Sequence, residues 1–145
     1  MSLDKPVTTI LATQIEAHLV EVRPPSQEEL DEVDISRFAI GREWDALEVG
    51  KSSERYFSLV KADPDKPSPT VTVTAGNVGA AGVTHPYERR KFTIPEVKRL
   101  SGFPDDFQLT GNFSQQWERL GRAVPPVMMF HIAHSLEGVL RETHR

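Results

Sequence analysis

Arg90-Lys91-Phe92-Thr93-Ile94-Pro95-Glu96-Val97-Lys98-Arg99-Leu100-Ser101-Gly102-Phe103-Pro104-Asp105-Asp106-Phe107 is the stretch on which the reading of this chain turns. Thr93 and Glu96 have the spacing of a capping box, in which each side chain satisfies the other's free backbone amide at a helix start. Pro95 suits a first turn, and Val97 and Leu100 face one way. Gly102 is placed to stop the helix. Phe103-Pro104-Asp105-Asp106-Phe107 then reads as a turn with two aromatic anchors, and its adjacent carboxylates diverge instead of forming a catalytic pair.

Working towards the C-terminus, Ser114 is positioned to cap a short helix that carries Trp117 and Leu120 and ends at Gly121. Pro125 and Pro126 open a last helix, in which Met129, Ile132, Ala133, Leu136, Val139 and Leu140 form an apolar stripe that needs a packing partner. His131, His134 and Glu137 recur at three-residue steps on that helix, but no fourth ligand accompanies them and no metal site is expected.

Towards the N-terminus, Ala75-Gly76-Asn77-Val78-Gly79-Ala80-Ala81-Gly82 lacks the G-x-G-x-x-G spacing and following helix of a dinucleotide loop, so a flexible surface loop is expected. Val71 and Val73 alternate with Thr70, Thr72 and Thr74, the pattern of a β-strand. Asp63 to Pro69 holds three prolines and reads as a turn or stiff linker. Residues 38–62 show no single period and are expected to form short strands or turns. Ser26 and Glu29 repeat the capping-box spacing before an acidic helix over about residues 27–33. Val7, Ile10, Leu11, Ile15, Leu19 and Val22 predict an amphipathic helix over residues 7–22. The architecture expected is α+β, a small irregular sheet with flanking helices. Its divisions are an N-terminal helical segment (1–37), a middle region (38–83) and a C-terminal region (84–145).

Composition narrows the function. The 145 residues hold no cysteine, which excludes disulfides, thiolate metal sites and a cysteine nucleophile. No apolar run approaches the length of a membrane span and no signal segment opens the chain, so a cytoplasmic protein is expected. The net charge of -4 is unevenly spread. Eight Lys and Arg against fourteen Asp and Glu leave -6 over residues 1–69, and nine against seven leave +2 over residues 70–145. Any contact with DNA must therefore come from local clusters such as Arg89-Arg90-Lys91, or Lys51 with Arg55.

The stretch from Arg90 to Phe107 resembles motif IX of the cytosine-5 DNA methyltransferases: an arginine, Leu-Thr, a glutamate, Arg-Leu and Gly-Phe-Pro-Asp. Gly121-Arg122-Ala123-Val124-Pro125-Pro126, followed by an apolar helix, resembles motif X. The resemblance covers residues 84–140, and residues 38–83 fall where that family carries its variable target-recognition region.

The resemblance implies the recognition lobe and C-terminal helices of an enzyme that moves a methyl group from S-adenosyl-L-methionine to carbon 5 of a flipped-out cytosine in double-stranded DNA. It also implies that the chain is inactive alone and needs the catalytic lobe, because the family's cysteine thiolate must first add to the base. No residue here is assigned a catalytic role. By resemblance, Arg90, Glu96, Arg99 and Pro104 organise the recognition lobe, and Gly121, Arg122, Ala123 and Val124 close one side of the cofactor pocket. Arg122 stands where the family most often has asparagine; its guanidinium can instead pair with the cofactor carboxylate or a phosphate. Lys51, Ser52, Arg55 and Asn77 carry groups able to meet phosphates and base edges. If the last helix normally packs on the missing lobe, the isolated chain should self-associate or exchange that helix between copies. A separately encoded recognition subunit, or a degenerate DNA-binding module without catalysis, is the alternative.

Overall fold

Ser26 opens the first element by a reciprocal cap: its hydroxyl accepts the Glu29 amide at 3.3 Å and its own amide donates to the Glu29 carboxylate at 2.6 Å. The computed structural model describes residues 24–143, so the helix expected over residues 7–22 lies outside the described residues. Helix α1 runs Gln27–Val33, as its capping box predicts. Helix α2 (Ala39–Ala46) follows, then strand β1 (Val60–Lys61), a 3-10 turn (Val73–Gly76) and strand β2 (Val83–Thr84). Three further helices complete the order: α3 (Ile94–Leu100), α4 (Phe113–Arg122) and α5 (Pro126–Thr143). Among the described residues no helix is long and apolar enough to cross a membrane.

The sheet is small and irregular. β1 and β2 pair in parallel, Val60 opposite Val83 and Lys61 opposite Thr84. Isolated antiparallel bridges extend the ribbon on both sides, joining Ser52 to Val60, Thr84 to Lys91 and Asp34 to Arg90. Five short segments thus lie side by side, with the segment around Arg90 and Lys91 between those of Asp34 and β2. One hydrophobic cluster below this ribbon is built from Val33, Ala62, Ala75, Val83, Phe92, Val97, Phe113, Trp117 and Leu120. A second joins Ile35, Ile40, Trp44 and Leu59. Fully burying side chains such as Val97, Ile35 and Leu59 stabilises the fold by about 1.5–3 kcal/mol each. Val33 and Ile35, two positions apart, enter different clusters, so the acidic helix is tied to both.

Four local expectations are corrected. Within residues 38–62 the chain forms α2, because Ile40 and Trp44 stand one helical turn apart on a buried face and Gly41 lets the helix approach the Ile35 carbonyl, where a Cβ would come within 2.2 Å. Residues 70–74 do not form a strand. The Thr72 carbonyl instead accepts the Trp117 indole N–H at 2.9 Å, and the chain coils into the 3-10 turn against α4. Residues 75–82 are not a free surface loop either, since Ala75, Gly76 and Gly82 are buried. The cap of α4 also lies earlier than expected, at Asn112, which forms a reciprocal pair with Gln115.

Candidate functional site

The capping box of α3 is where the chain's most committed polar residues meet. Thr93 is the N-cap, and the Glu96 carboxylate accepts its amide at 2.7 Å. The same carboxylate receives Arg90 in a bidentate pair, Nη1 to Oε2 at 2.8 Å and Nη2 to Oε1 at 2.9 Å. Arg90 Nη1 also donates to the Lys91 carbonyl, and Nε to Glu88 at 2.8 Å. Burial pushes the Glu96 carboxyl up, but the Arg90 hydrogen bonds and charge, with the Thr93 amide, outweigh it and hold the group below the usual glutamate range. Beside this pair, His85 Nδ1 accepts the Tyr87 and Glu88 amides at 3.2 and 3.0 Å, closing the turn at Pro86.

Arg99 and Pro104 stand at the other end of α3. The helix stops at Gly102, whose φ of 73° is the left-handed conformation that glycine adopts without strain. Beyond it, Arg99 Nε donates to Asp105 at 2.8 Å, and Lys98 Nζ donates to the Asp105 and Phe107 carbonyls at 2.8 and 2.7 Å. Pro104 is exposed within that turn, and Phe103 and Phe107 pack with ring centroids 5.0 Å apart.

Lys91 is the buried residue that sequence reasoning missed. It was grouped with Arg89 and Arg90 as a basic cluster open to DNA, whereas Arg90 and Lys91 both point inward and only Arg89 is exposed, paired with Asp45 at 2.7 Å. Arg90 is covered by Glu88 and Glu96 and Lys91 by the segment from Ala75 to Asn77, so consecutive side chains are both buried, each against a different neighbour, which three consecutive basic residues do not reveal. Lys91 Nζ donates to the carbonyls of Ala75 and Asn77, tying the glycine-rich segment to the middle of the ribbon.

The residues considered for DNA fall into two groups. Lys51, Ser52 and Arg55 share one exposed turn, with the Arg55 guanidinium 5.5 Å from the Tyr56 ring centroid. Asn77 is exposed on a separate segment, where its Oδ1 accepts the Gly79 amide at 3.1 Å. No hydrogen bond or ion pair joins the two groups among the described residues.

Gly121, Arg122, Ala123 and Val124 form a ledge between α4 and α5. Trp117 anchors it from one turn below, and Gly121 lies against Thr72 and Val73 so closely that a Cβ would meet the Val73 amide nitrogen at 3.0 Å. The Ala123 amide donates to the Leu120 carbonyl at 3.2 Å. Val124 is exposed, and the Arg122 side chain, 68% exposed, reaches Glu118 at 2.6 Å. The ledge can offer a guanidinium, backbone groups and one apolar side chain to a carboxylate-bearing ligand. Those groups match the chemistry of the amino-acid end of S-adenosylmethionine. Next to it, Met129, Phe130, Ile132 and Leu136 on α5 are all exposed.

Comparison with known proteins supplies the wider context. A type II methyltransferase of Neisseria gonorrhoeae is 35% identical over 95 residues, covering 66% of this chain and 24% of that protein. The DNA (cytosine-5)-methyltransferase 1B of Oryza sativa subsp. japonica is 34% identical over 70 residues, covering 48% of this chain and 5% of the rice protein. A type II methyltransferase of Picosynechococcus sp. is 33% identical over 87 residues, 52% of this chain and 60% of that one, which makes it a short chain too. The chain spans less than a third of the length of the first curated relatives it matches. No solved structure matches. The family profile described as C-5 cytosine-specific DNA methylase matches residues 8–138, and this chain belongs to that family.

Proposed function

We propose that this chain is the target-recognition and cofactor-closing part of a DNA (cytosine-5-)-methyltransferase, acting on double-stranded DNA together with a catalytic lobe. S-adenosyl-L-methionine supplies the methyl group that ends on carbon 5 of cytosine. The observation that carries the reading is the mechanical link between two candidate surfaces. The segment from Thr72 to Asn77 is held at one end by Trp117, beneath the Gly121–Val124 ledge, and at the other by Lys91, beside the Arg90–Glu96 pair. A lobe that must present loops to DNA and a wall to a cofactor needs such a rigid crosspiece.

In this reading Arg90, Glu96, Arg99 and Pro104 shape the lobe and touch neither base nor cofactor. Lys51, Ser52, Arg55 and Asn77 meet phosphates or base edges. Gly121 to Val124 would hold the cofactor's amino-acid end, with the Arg122 guanidinium leaving Glu118 for a carboxylate. The exposed α5 face packs on the catalytic lobe. The thiolate that adds to the base comes from that lobe, since this sequence has no cysteine.

A second reading, a recognition subunit encoded as its own chain, draws support from the short Picosynechococcus relative. Methyl transfer from labelled S-adenosylmethionine to duplex DNA tests both. The chain alone is expected to be silent and the chain mixed with the upstream catalytic part to be active. Activity from the chain alone would overturn the proposal; silence of both would leave a DNA-binding module without catalysis.

A further inference from the structure

Phe57 is 98% exposed, more than any other large apolar side chain described. It sits at the tip of a turn that is built to hold its shape. Ser53 Oγ accepts the amides of Arg55 and Tyr56, both at 3.0 Å, and donates to the Glu43 carboxylate at 2.7 Å. The strands below the tip are closed by Ser53 N to the Leu59 carbonyl at 2.9 Å and Leu59 N to the Tyr56 carbonyl at 2.8 Å. Tyr56 turns inward against the second hydrophobic cluster, so the next side chain, Phe57, is driven outward.

The surroundings of the ring narrow what it meets. The other strongly exposed apolar residues are largely neighbours on α5, a continuous face suited to another protein surface. Phe57 lies outside that helix, a single ring at the tip of a stiff turn whose exposed charged residues are Lys51, Glu54 and Arg55, two cations to one anion. An isolated apolar ring on a turn with an excess of cations suits entry between stacked bases while the cations hold nearby phosphates.

We propose that Phe57 inserts between base pairs of the target duplex as a wedge, with Lys51 and Arg55 gripping the flanking phosphates. The inference rests on the recognition reading above and adds to it a residue that the family resemblance does not assign. Stacking on a base offsets the cost of holding the ring in water and of unstacking the step it enters.

The test uses this chain mixed with its catalytic part. Bisulfite sequencing of DNA methylated by the mixture fixes the site, and duplexes with 2-aminopurine at each position of that site then report unstacking. Wild type is expected to raise the emission at one step. Phe57→Ala should abolish that rise and weaken binding by about 5- to 150-fold, the range of losses from removing one base-stacking ring, while Phe57→Trp keeps both. Lys51→Ala and Arg55→Ala should weaken binding with the rise intact. Equal emission and affinity for Phe57→Ala and wild type would overturn the wedge and leave the methyltransferase reading standing. Loss of association with the catalytic part in Phe57→Ala would overturn it in favour of a protein contact. A wild-type mixture that neither binds nor methylates any duplex would overturn both readings.

Discussion

Arg90 and Glu96 meet through two parallel hydrogen bonds of 2.8 and 2.9 Å, and the carboxylate that receives them also caps the helix it belongs to by accepting the Thr93 amide. One buried pair therefore joins the central segment of the ribbon to the start of α3. Removing one partner leaves the other charge buried and unpaired, so Arg90→Ala is expected to cost about 3–5 kcal/mol. Glu96 adds a pH dependence of known sign. Its folded-state pKa is depressed, so the stability it contributes is complete above the ordinary glutamate range and is lost as pH falls through the lowered folded value. Urea denaturation of wild type and Arg90→Ala between neutral pH and pH 3 checks this: the acid loss should be smaller in the variant. Equal acid slopes in the two proteins would remove Glu96 as its source.

Lys91 gives a pH dependence of the same sign in a higher window. Burial alone pushes its ammonium down to about 8 from 10.5, because no carboxylate partner compensates for the lost water. A neutral amine retains two N–H groups, enough for the carbonyls of Ala75 and Asn77. Between about pH 8 and the unfolded value near 10.5 the unfolded chain binds more protons than the folded one, so this residue's contribution to stability rises with pH across that window. Lys91→Met is expected to flatten that rise and to leave the buried Ala75 carbonyl without this donor, costing about 1–3 kcal/mol, whereas the Asn77 carbonyl keeps the Ala80 amide at 3.0 Å. Chemical denaturation from pH 7.5 to 10.5 measures both. An unchanged slope in the variant would assign the rise to other groups.

How much of this was legible in the sequence depended on how local the deciding physics was. The caps of α1 and α3 were readable because a capping box closes within four residues, Ser26 to Glu29 and Thr93 to Glu96. The turn after α3 was readable for the same reason, from Gly102 and Pro104. Residues 70–74 misled because their alternation met a tertiary partner: the Trp117 indole, 45 positions away, takes the Thr72 carbonyl that a strand would have used. α2 was missed because one buried pair, Ile40 and Trp44, is too short a period to register, and the need for Gly41 appears only once Ile35 is packed against it. The basic triplet Arg89-Arg90-Lys91 gave its charge but not its direction. The ledge at Gly121–Val124 was found from the family resemblance, whereas its crosspiece from Thr72 to Asn77 joins residues whose sequence neighbours give no sign of contact.

The last helix makes the remaining prediction. Met129, Phe130, Ile132 and Leu136 are exposed along α5, and Ala133, Leu136, Glu137, Leu140 and Arg141 line an open groove on it. A patch of that kind is rarely left in water, so the chain by itself is expected to self-associate or exchange α5 between copies as concentration rises. Ile132→Glu with Leu136→Glu should return it to a monomer. The unfolding free energy of that monomer should stay within about 0.5 kcal/mol of wild type at low concentration, because both side chains already face solvent. Sedimentation over a hundredfold concentration range distinguishes the cases. If the association vanished in the double variant while methyl transfer in the mixture survived intact, α5 would bind its own kind but not the catalytic lobe. Loss of both together would mark one surface serving both contacts, and a wild-type chain monomeric throughout would remove self-association altogether.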